Sequence, residues 1–308
     1  MTDRITDTAS ADVRRQVVRL CGVHTLATMR IATDAIDQDL ISTMMFLAIS
    51  RDNVRDVTIL AQTSGAYAGM DDIPPDNLRR PVTVYALAKE LGLPYETARR
   101  HANKLVTAGL ATRSEEGLVI PAQVYGREGM LGSVELNWQE TLRFIQALAT
   151  YGVRSDAPAG TVAPDVRRQV LRVSVEFLLE SLAMLMTAMD VDFLGALLCI
   201  AITRGNTQHL TEDPSVPYAG LAEVPPDHLR RPVSVYHLAK LLRLPYETTR
   251  RHVGQLEAAT YLERAPGGGL IVPMRVLAIP SLMSGVETNW QATMRYLTAL
   301  AQLGVVPA

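Results

Sequence analysis

The chain has 308 residues, of which 48% are apolar and 20% are charged, and its formal net charge is −2. This length and apolar content allow two sizeable buried cores, and the charged fraction is typical of a water-exposed globular protein. The small net charge gives no global sign of a nucleic-acid partner. Cys21 and Cys199 have no metal-ligand spacing, so we expect unpaired thiols in a reducing cytoplasm, with no metal and no cofactor.

The chain is internally duplicated. Residues 73–101 return as residues 224–252 with 22 of 29 positions identical, and paired blocks continue on both sides. Because such self-similarity predicts a repeated structural unit, we expect two domains of one fold, residues 1–154 and 165–308. Residues 155–164, rich in Pro, Ala and Gly, are the expected linker.

Each repeat begins with predicted helices. Apolar periodicity indicates helices within residues 12–52 of the first repeat and 165–206 of the second. The Leu- and Met-rich stretch 177–202 has the composition of a membrane span, but Glu180 and Asp190 interrupt it, and charges are costly at bilayer depth. We therefore expect core helices and no membrane partner.

A helix, a tight turn and a second helix follow an irregular Pro-containing segment. Thr83 is placed to cap the first of these helices, Gly92 ends it, and Pro94 starts the next. The second repeat has Ser234 at the cap and Arg243 in place of Gly92, which is less suited to this position but can be accommodated if the turn there is slightly different.

Two short strands come next in each repeat. In the first repeat residues 110–113 and 118–120 flank a short turn, and in the second residues 261–264 and 270–272 flank a longer, glycine-rich tip. Each pair of strands is expected to form a hairpin beside the preceding helices.

This order of elements resembles the winged helix-turn-helix domain of bacterial transcription regulators of the MarR and IclR kind, over residues 73–121 and 224–273. The resemblance implies a mainly α fold with small β-wings, in which two tandem winged repeats surround a shared helical core with pseudo-twofold symmetry. The core helices are expected near residues 12–52, 134–151, 165–206 and 286–303.

The resemblance also implies a partner and an assembly. MarR-like regulators bind pseudo-palindromic double-stranded DNA as homodimers, and a duplicated chain can supply both halves itself. We therefore expect a pseudo-twofold monomer whose recognition helices lie about 34 Å apart. A homodimer of the whole chain is left open, and a solution mass of two chains would overturn the monomer.

The helix that follows Pro94 is the expected DNA reader. At about 100° per residue, Ala98, Ala102 and Leu105 share one face, whereas Arg100 and Asn103 lie opposite. Arg can bond guanine, Asn can bond adenine, and Lys or Thr can hold phosphate.

The expected DNA contacts cover both repeats. In the first they are Arg79, Arg80, Tyr95, Thr97, Arg99, Arg100, Asn103, Lys104 and Arg113. In the second they are Arg230, Arg231, Tyr246, Thr248, Arg250, Arg251, Gln255 and Arg264. Glu96 is expected to accept from cytosine or to orient Arg100. Gly254 and Ala258 replace Asn103 and Thr107 in the second repeat, which predicts related but unequal half-sites.

Positive charge is concentrated around the two readers. Residues 78–113 carry a net charge of +5 and residues 229–264 a net charge of +4, so the rest of the chain carries −11. Such segregation is typical of a DNA-binding face on an otherwise acidic protein.

Two points about these residues stay open. Arg79 and Arg80, like their counterparts Arg230 and Arg231, either contact phosphate or pair with nearby acids such as Asp76 and Asp227. Tyr95 and Tyr246 either touch sugar-phosphate or pack on the wing.

Four aromatic side chains are expected to be structural. His101 and His252 lie at the edge of the predicted buried face, where a role in packing is favoured over a role as ligand. Trp138 and Trp290 are expected to anchor the helical core, with a ligand pocket there as the weaker alternative.

The sequence shows no Gly-rich phosphate loop, paired catalytic carboxylates or nucleophile with a base, so we expect no enzyme. The predicted function is a sequence-specific, double-stranded DNA-binding transcription regulator that is cytoplasmic and nucleoid-associated. Two alternatives remain. One is a winged-helix scaffold for protein interactions, and the other is a small-molecule sensor whose anionic effector is held by the pairs Arg79–Arg80 and Arg230–Arg231.

Overall fold

The computed structural model describes residues 12–64, 66–160, 164–211 and 218–307. Their fold is mainly helical, with two small antiparallel sheets of two strands each. Residues 1–11 of the expected first domain, 161–163 of the expected linker and 212–217 and 308 of the second domain lie outside the described residues.

The two repeats form the same elements in nearly the same order. The first contains α1 (Arg14–Ile36), α2 (Leu40–Asn53), α3 (Arg55–Ser64), α4 (Val84–Glu90), α5 (Tyr95–Thr107), β1 (Thr112–Arg113), β2 (Leu118–Val119), α6 (Ala122–Tyr125) and α7 (Glu128–Ala149). The second contains α8 (Arg167–Met189), α9 (Phe193–Thr211), α10 (Val235–Leu241), α11 (Tyr246–Ala258), β3 (Glu263–Arg264), β4 (Leu270–Ile271), α12 (Met274–Leu277) and α13 (Pro280–Gln302).

Three helices differ from the prediction. Residues 55–64 were expected to be irregular but form α3, whereas the second repeat continues as the single helix α9. Helices α7 and α13 begin at Glu128 and Pro280, before the expected starts at residues 134 and 286. The expected starts are the first residues of repeated sequence blocks, and such a repeat is not a signal for the start of a helix. Pro280 is such a signal, because proline is favoured in the first turn of a helix.

The predicted helix caps are confirmed. The Thr83 hydroxyl accepts the Ala86 backbone N–H at 3.2 Å, and the Ser234 hydroxyl accepts that of His237 at 3.1 Å. These contacts satisfy one free N–H group at the start of α4 and of α10.

The turn of the second repeat accommodates Arg243 in the same left-handed region that Gly92 occupies in the first. Gly92 has φ 64°, and Arg243, at the equivalent position, adopts φ 51°. Glycine takes this left-handed conformation without cost, whereas a residue with a Cβ is strained there by about 1 kcal/mol. Arg243 forms an ion pair with Asp34, which offsets part of this strain.

A buried asparagine ties each hairpin to the helices. The Asn53 amide donates to the carbonyl oxygens of Arg80 (2.6 Å) and Leu118 (3.2 Å), and its oxygen accepts the Ile120 N–H at 2.8 Å. Val82 also bridges to Leu118, which adds a third chain segment to the β1–β2 pair. Asn206 makes the equivalent three bonds in the second repeat. The last residue of α2 therefore fixes the hairpin relative to the helices.

The two repeats share one bundle of long helices. A single apolar cluster combines side chains from α1 and α7 of the first repeat with side chains from α8 and α13 of the second. Phe144, Phe177 and Tyr296 lie at its centre, with the Phe177 and Tyr296 rings stacked at 4.5 Å. A second, larger apolar cluster also spans both repeats. It joins α2, α4 and α5 of the first repeat and α9, α10 and α11 of the second to the long helices α1 and α8.

The predicted core anchors are not at the centre of the bundle. Trp138 and Trp290 are half-buried and pack on the edge of the shared cluster, whereas the fully buried positions nearby are Ile145 and Leu300. A tryptophan is too large to be enclosed where two helices approach closely, so smaller side chains fill the centre.

Contacts between the repeats are reciprocal. Arg15 of α1 donates to the Leu221 carbonyl of the second repeat, and Arg168 of α8 donates to the Met70 carbonyl of the first. Likewise, the Gln16 N–H bonds the Ala219 carbonyl at 3.1 Å, and the Gln169 N–H bonds the Ala68 carbonyl at 3.1 Å (equivalent residues). Each repeat thus holds a loop of the other with the first turn of its own first long helix.

Among the described residues no single helix is long and apolar enough to cross a membrane. The pair Arg167–Met189 and Phe193–Leu210 would pass that test together, but the two helices are bent by 93°. Their apolar side chains, Phe177 and Leu197 among them, are buried in the protein core.

Candidate functional site

The exposed faces of α5 and α11 are the candidate site. Ala98, Ala102 and Leu105 are buried against α2 and α4, as the periodicity predicts. Arg100 and Asn103 lie on the opposite face and are exposed. Because α11 repeats this division, the protein presents two equivalent polar helix faces.

One arginine on each face is paired within its own helix. Arg99 donates Nε and Nη2 to the Glu96 carboxylate at 2.9 and 2.7 Å, and Arg250 does the same with Glu247. The hydrogen bonds that Arg99 donates to Glu96 hold the pKa of Arg99 above its ordinary value. Glu96 therefore orients Arg99, and the expectation that it orients Arg100 is wrong, because the i,i+3 spacing places Arg99 beside it.

The next arginine is free on both faces. Arg100 and Arg251 are exposed and form no hydrogen bond or ion pair with any described residue. Asn103 and Gln255 are also exposed and equally without a partner in that part of the chain. These four side chains have all their hydrogen-bonding groups available to an external partner.

Lys104 is held by α2 rather than free. Its ammonium group donates to Asp39, the residue that caps α2, and His101 Nδ1 lies 3.2 Å from the same carboxylate. Burial alone would raise the pKa of Asp39, but the hydrogen bonds from His101, Lys104 and the Ser42 N–H hold that pKa well below its ordinary value. His101 is buried, in keeping with a structural role.

The second repeat lacks this lysine contact. Gln255 stands where the first repeat has Lys104, and Asp192, the counterpart of Asp39, lies 3.6 Å from His252. Burial lowers the pKa of His252, although the Asp192 carboxylate opposes this effect. The two faces therefore differ in charge as well as in sequence.

The expectation that Arg79 and Arg230 contact phosphate is wrong. Both side chains are 0% exposed. Arg79 donates to Asp76 (3.2 Å) and to the Pro74 carbonyl (2.8 Å), and its guanidinium lies 4.7 Å from the centre of the Tyr125 ring. Arg230 has the same bonds to Asp227 and Pro225, and burial lowers its pKa. The alternative of pairing with nearby acids is the observed arrangement.

Their neighbours Arg80 and Arg231 are accessible. Arg80 is 69% exposed and forms an ion pair with Asp56 of α3. Arg231 is exposed and forms no side-chain contact with a described residue. Only the second residue of each Arg-Arg pair can therefore reach a partner in solution.

Tyrosines lie near the starts of α5 and α11. Tyr95 and Tyr246 are 50% and 48% exposed in the first turns of these helices, so half of each side chain is accessible to a partner. Thr97 and Thr248 are half-buried. Tyr85 and Tyr236, which are not among the expected contacts, are more exposed, at 69% and 72%. The sequence feature that identifies them is a tyrosine at the same position of both repeats, on the side of the helix that does not face the core.

The hairpins differ in charge. Arg113 is exposed and forms no contact with a described side chain, whereas Arg264 is paired with Glu257 at 2.8 Å. Glu115 and Glu116 are exposed at the first tip, and the second tip has Gly267 to Gly269 at positive φ.

The exposed side chains of the candidate site can contact a partner through several kinds of interaction. Its exposed groups are guanidinium, amide and phenol side chains, which bind by hydrogen bonds, charge and stacking. Within the described ranges, no three His, Cys, Asp or Glu side chains lie together in a way that could hold a metal ion.

Comparisons of the chain with protein-family models, with curated proteins and with solved structures found no match. The resemblance to winged regulators of the MarR and IclR kind therefore stays a prediction.

Proposed function

We propose that the protein is a sequence-specific, double-stranded DNA-binding transcription regulator. In this proposal two winged helix-turn-helix units flank the shared bundle with pseudo-twofold symmetry, and α5 and α11 each enter a major groove of one pseudo-palindromic site. A single chain then supplies both halves of the reader.

One observation carries the proposal. In both repeats the second helix of a tightly turned pair presents an exposed arginine without a partner in the described chain, Arg100 or Arg251, beside an exposed Asn103 or Gln255. Guanidinium and carboxamide groups are the side chains that bond base edges in two places at once. These side chains have no partner within the described chain. Hydrogen bonds to an external partner would therefore offset the free-energy cost of removing water from them on binding.

Local charge supports the same partner. The segments that contain the two helices have net charges of +5 and +4 within a chain of net charge −2. Burial of Arg79 and Arg230 takes one cation from the accessible surface of each segment, and the remaining side chains still carry +4 and +3. A localised positive field draws polyanions to this face.

The two half-sites are expected to be unequal. The first helix has Asn103 and Lys104, whereas the second has Gly254 and Gln255 at the same positions. Asn103 can specify adenine, and Gly254 has no side chain for this purpose. We therefore expect a two-part motif in which one half is specified at more positions.

The experiment selects sequences from a randomised DNA pool with the full chain at two salt concentrations. Wild type is compared with Arg100→Ala, Arg251→Ala and the variant in which Arg99, Arg100, Arg250 and Arg251 are all Ala. We expect a two-part motif, with Arg100→Ala and Arg251→Ala each weakening selection in a different half by about 5- to 150-fold.

Arg154→Ala is the matched control, because it also removes one exposed positive charge but lies outside both helix-hairpin segments. We expect it to leave the motif unchanged. No enriched motif in wild type, or equal DNA binding by the fourfold variant, would contradict the proposal and favour a protein-interaction scaffold.

A further inference from the structure

A cavity of about 450 Å³ lies between the long helices of the shared bundle and helices α2 and α3 of the first repeat. The first repeat contributes α1, α2 and α7 to its walls, and the second contributes α8 and α13. Most of the lining is apolar, with Ile31, Leu47 and Leu171 among the side chains. This volume and lining are typical of sites for small organic molecules.

One end of the cavity is cationic. Arg79, Arg168 and Arg172 all line it, close to the phenol of Tyr125. Arg79 donates through Nε to Asp76 and through Nη2 to the Pro74 carbonyl, whereas its Nη1 has no partner among the described residues, and Arg168 donates to the Met70 carbonyl at 3.0 Å. Three guanidinium groups thus share a small volume.

Arg172 differs from the other two in having no partner. Its Nη1 and Nη2 atoms are buried and form no hydrogen bond with any described residue. Burial, and next the charge of Arg168, lowers the pKa of Arg172 to about 10, so it remains a cation at neutral pH. A buried cation with unused donors is costly unless an anion compensates it.

The carboxylates that line the cavity do not fill this role. Glu176 lies 3.9 Å from Arg51, and Glu180 is paired with Arg295. Glu176 lies one helical turn beyond Arg172 on α8 and Glu180 two turns beyond it, and neither forms an ion pair with Arg172. The cationic end is therefore uncompensated by these acids.

Further polar atoms in the cavity wall are unused. Asn137 is 0% exposed, and both its amide nitrogen and its oxygen are without a hydrogen-bond partner among the described residues. The Thr28 hydroxyl is also buried without a partner in that set. Buried amides and hydroxyls are nearly always hydrogen-bonded in folded proteins, so this group requires an explanation.

The second repeat offers an internal comparison. An equivalent cavity of about 630 Å³ is lined by α1, α8, α9 and α13, and Arg19 takes the position of Arg172. Arg19, however, donates to the Gln16 side chain at 3.0 Å and to the Tyr218 carbonyl. Arg172 therefore lacks the partners of its counterpart, and the unpartnered guanidinium nitrogen of the second cavity belongs to a different residue, the buried Nε of Arg204.

We infer that the first cavity is a binding site for a small organic carboxylate, whose anionic head is held by Arg172 and Asn137 and whose apolar body lies along α1 and α2. Two charge-assisted hydrogen bonds from the guanidinium suit a planar carboxylate, and the amide can donate a third. This inference does not depend on DNA binding, because the site and its test involve only the protein and the ligand.

Isothermal titration of the full chain with benzoate, 2-naphthoate and decanoate, and with the alcohol that matches each, tests the site. We expect at least one carboxylate to bind with one site per chain and at least about tenfold more tightly than its alcohol. Arg172→Met keeps the aliphatic stem but removes the charge, and we expect it to abolish this preference. Arg172→Lys should retain part of it.

Arg19→Met is the matched control, since it removes the equivalent charge from the second cavity, and we expect affinity within about twofold of wild type. Thermal melting establishes that Arg172→Met is folded, and Arg172→Gln replaces it if it is not. The inference is overturned if no carboxylate binds at about 1 mM, if the alcohols bind equally well, or if removal of the Arg172 charge leaves carboxylate affinity unchanged.

Discussion

Asp39 supports both a helix end and a residue of the candidate site. Its carboxylate accepts the Ser42 N–H at 2.9 Å at the start of α2 and receives Lys104 from α5. Because its pKa is lowered in the folded state, the unfolded chain binds the proton more readily. The stability contributed by this carboxylate is therefore present above the unfolded pKa of about 3.9 and is lost as the pH falls further.

We predict that Asp39→Asn lowers the free energy of unfolding by about 1–2 kcal/mol at pH 7, because asparagine retains the cap but not the charge. The difference from wild type should shrink towards pH 3, because the unfolded wild-type chain then binds a proton at this carboxyl while the folded protein does not. Urea denaturation across this range measures it. Asp192→Asn should have a smaller effect, since no lysine contacts Asp192 in the described structure. A difference that is independent of pH would contradict the role of the charge.

Asn53 shows how one side chain can hold an entire segment. Its side chain donates to two carbonyl oxygens and accepts from one N–H group in the interior. Because Asn53 is 1% exposed, solvent water does not replace these hydrogen bonds. We predict that Asn53→Ala lowers the free energy of unfolding by about 2–4 kcal/mol, since buried backbone groups lose their partners. Urea denaturation checks this, with Asn77→Ala as a control, because Asn77 is exposed. A loss of stability smaller than that of Asn77→Ala would show that other interactions can replace the three hydrogen bonds of Asn53.

At the scale of elements, features that depend on neighbouring residues could be predicted from the sequence. Features that depend on contacts between residues distant in sequence could not. Caps at Thr83 and Ser234 and the left-handed Gly92 follow from the nearest few residues, so they could be identified from sequence. The burial of Arg79 depends on Tyr125, which lies 46 residues further along the chain. Nothing in the local pattern distinguishes Arg79 from the exposed Arg80, and a spatial contact decides between them.

The hairpins give an element-scale prediction that rests on the proposed function. Glu115 and Glu116 lie exposed at the first tip, where phosphate would repel them. We expect Glu115→Gly with Glu116→Gly to tighten binding to the selected DNA, with a gain that shrinks at high salt. Fluorescence anisotropy measures this. The pair Glu115→Gln and Glu116→Gln separates charge from backbone freedom and should give a similar gain. Unchanged or weaker binding in both would refute repulsion at the tip.

At the scale of the molecule, neither repeat has a complete core. The central cluster draws on α1 and α7 from one repeat and on α8 and α13 from the other. We predict that residues 1–154 expressed alone do not form a stable folded monomer, because α1 and α7 would expose the surface that α8 and α13 cover. Light scattering coupled to size exclusion, with circular dichroism, tests this. A cooperatively folded monomer of that fragment would contradict the shared core.

Duplication was visible in the sequence and the resemblance implied a shared helical core, but the pairs of helices that pack together in that core were not predicted. Repeated blocks predict that two similar units exist, and they do not say which helix of one unit packs on the other. Arg172 illustrates the limit. It belongs to a repeated run of arginines at the start of a long helix, and its unpaired, buried state results from walls that the other repeat supplies.

The reciprocal loop contacts also constrain how the chain folds during synthesis. Arg15 leaves the ribosome about 200 residues before its acceptor, the Leu221 carbonyl, and α1 appears long before α13. The amino-terminal half therefore cannot finish its packing while the carboxyl-terminal half is still being translated. During that interval the apolar face of α1 is exposed to solvent unless a chaperone or the ribosome surface binds it. Folding of the two halves is then completed together.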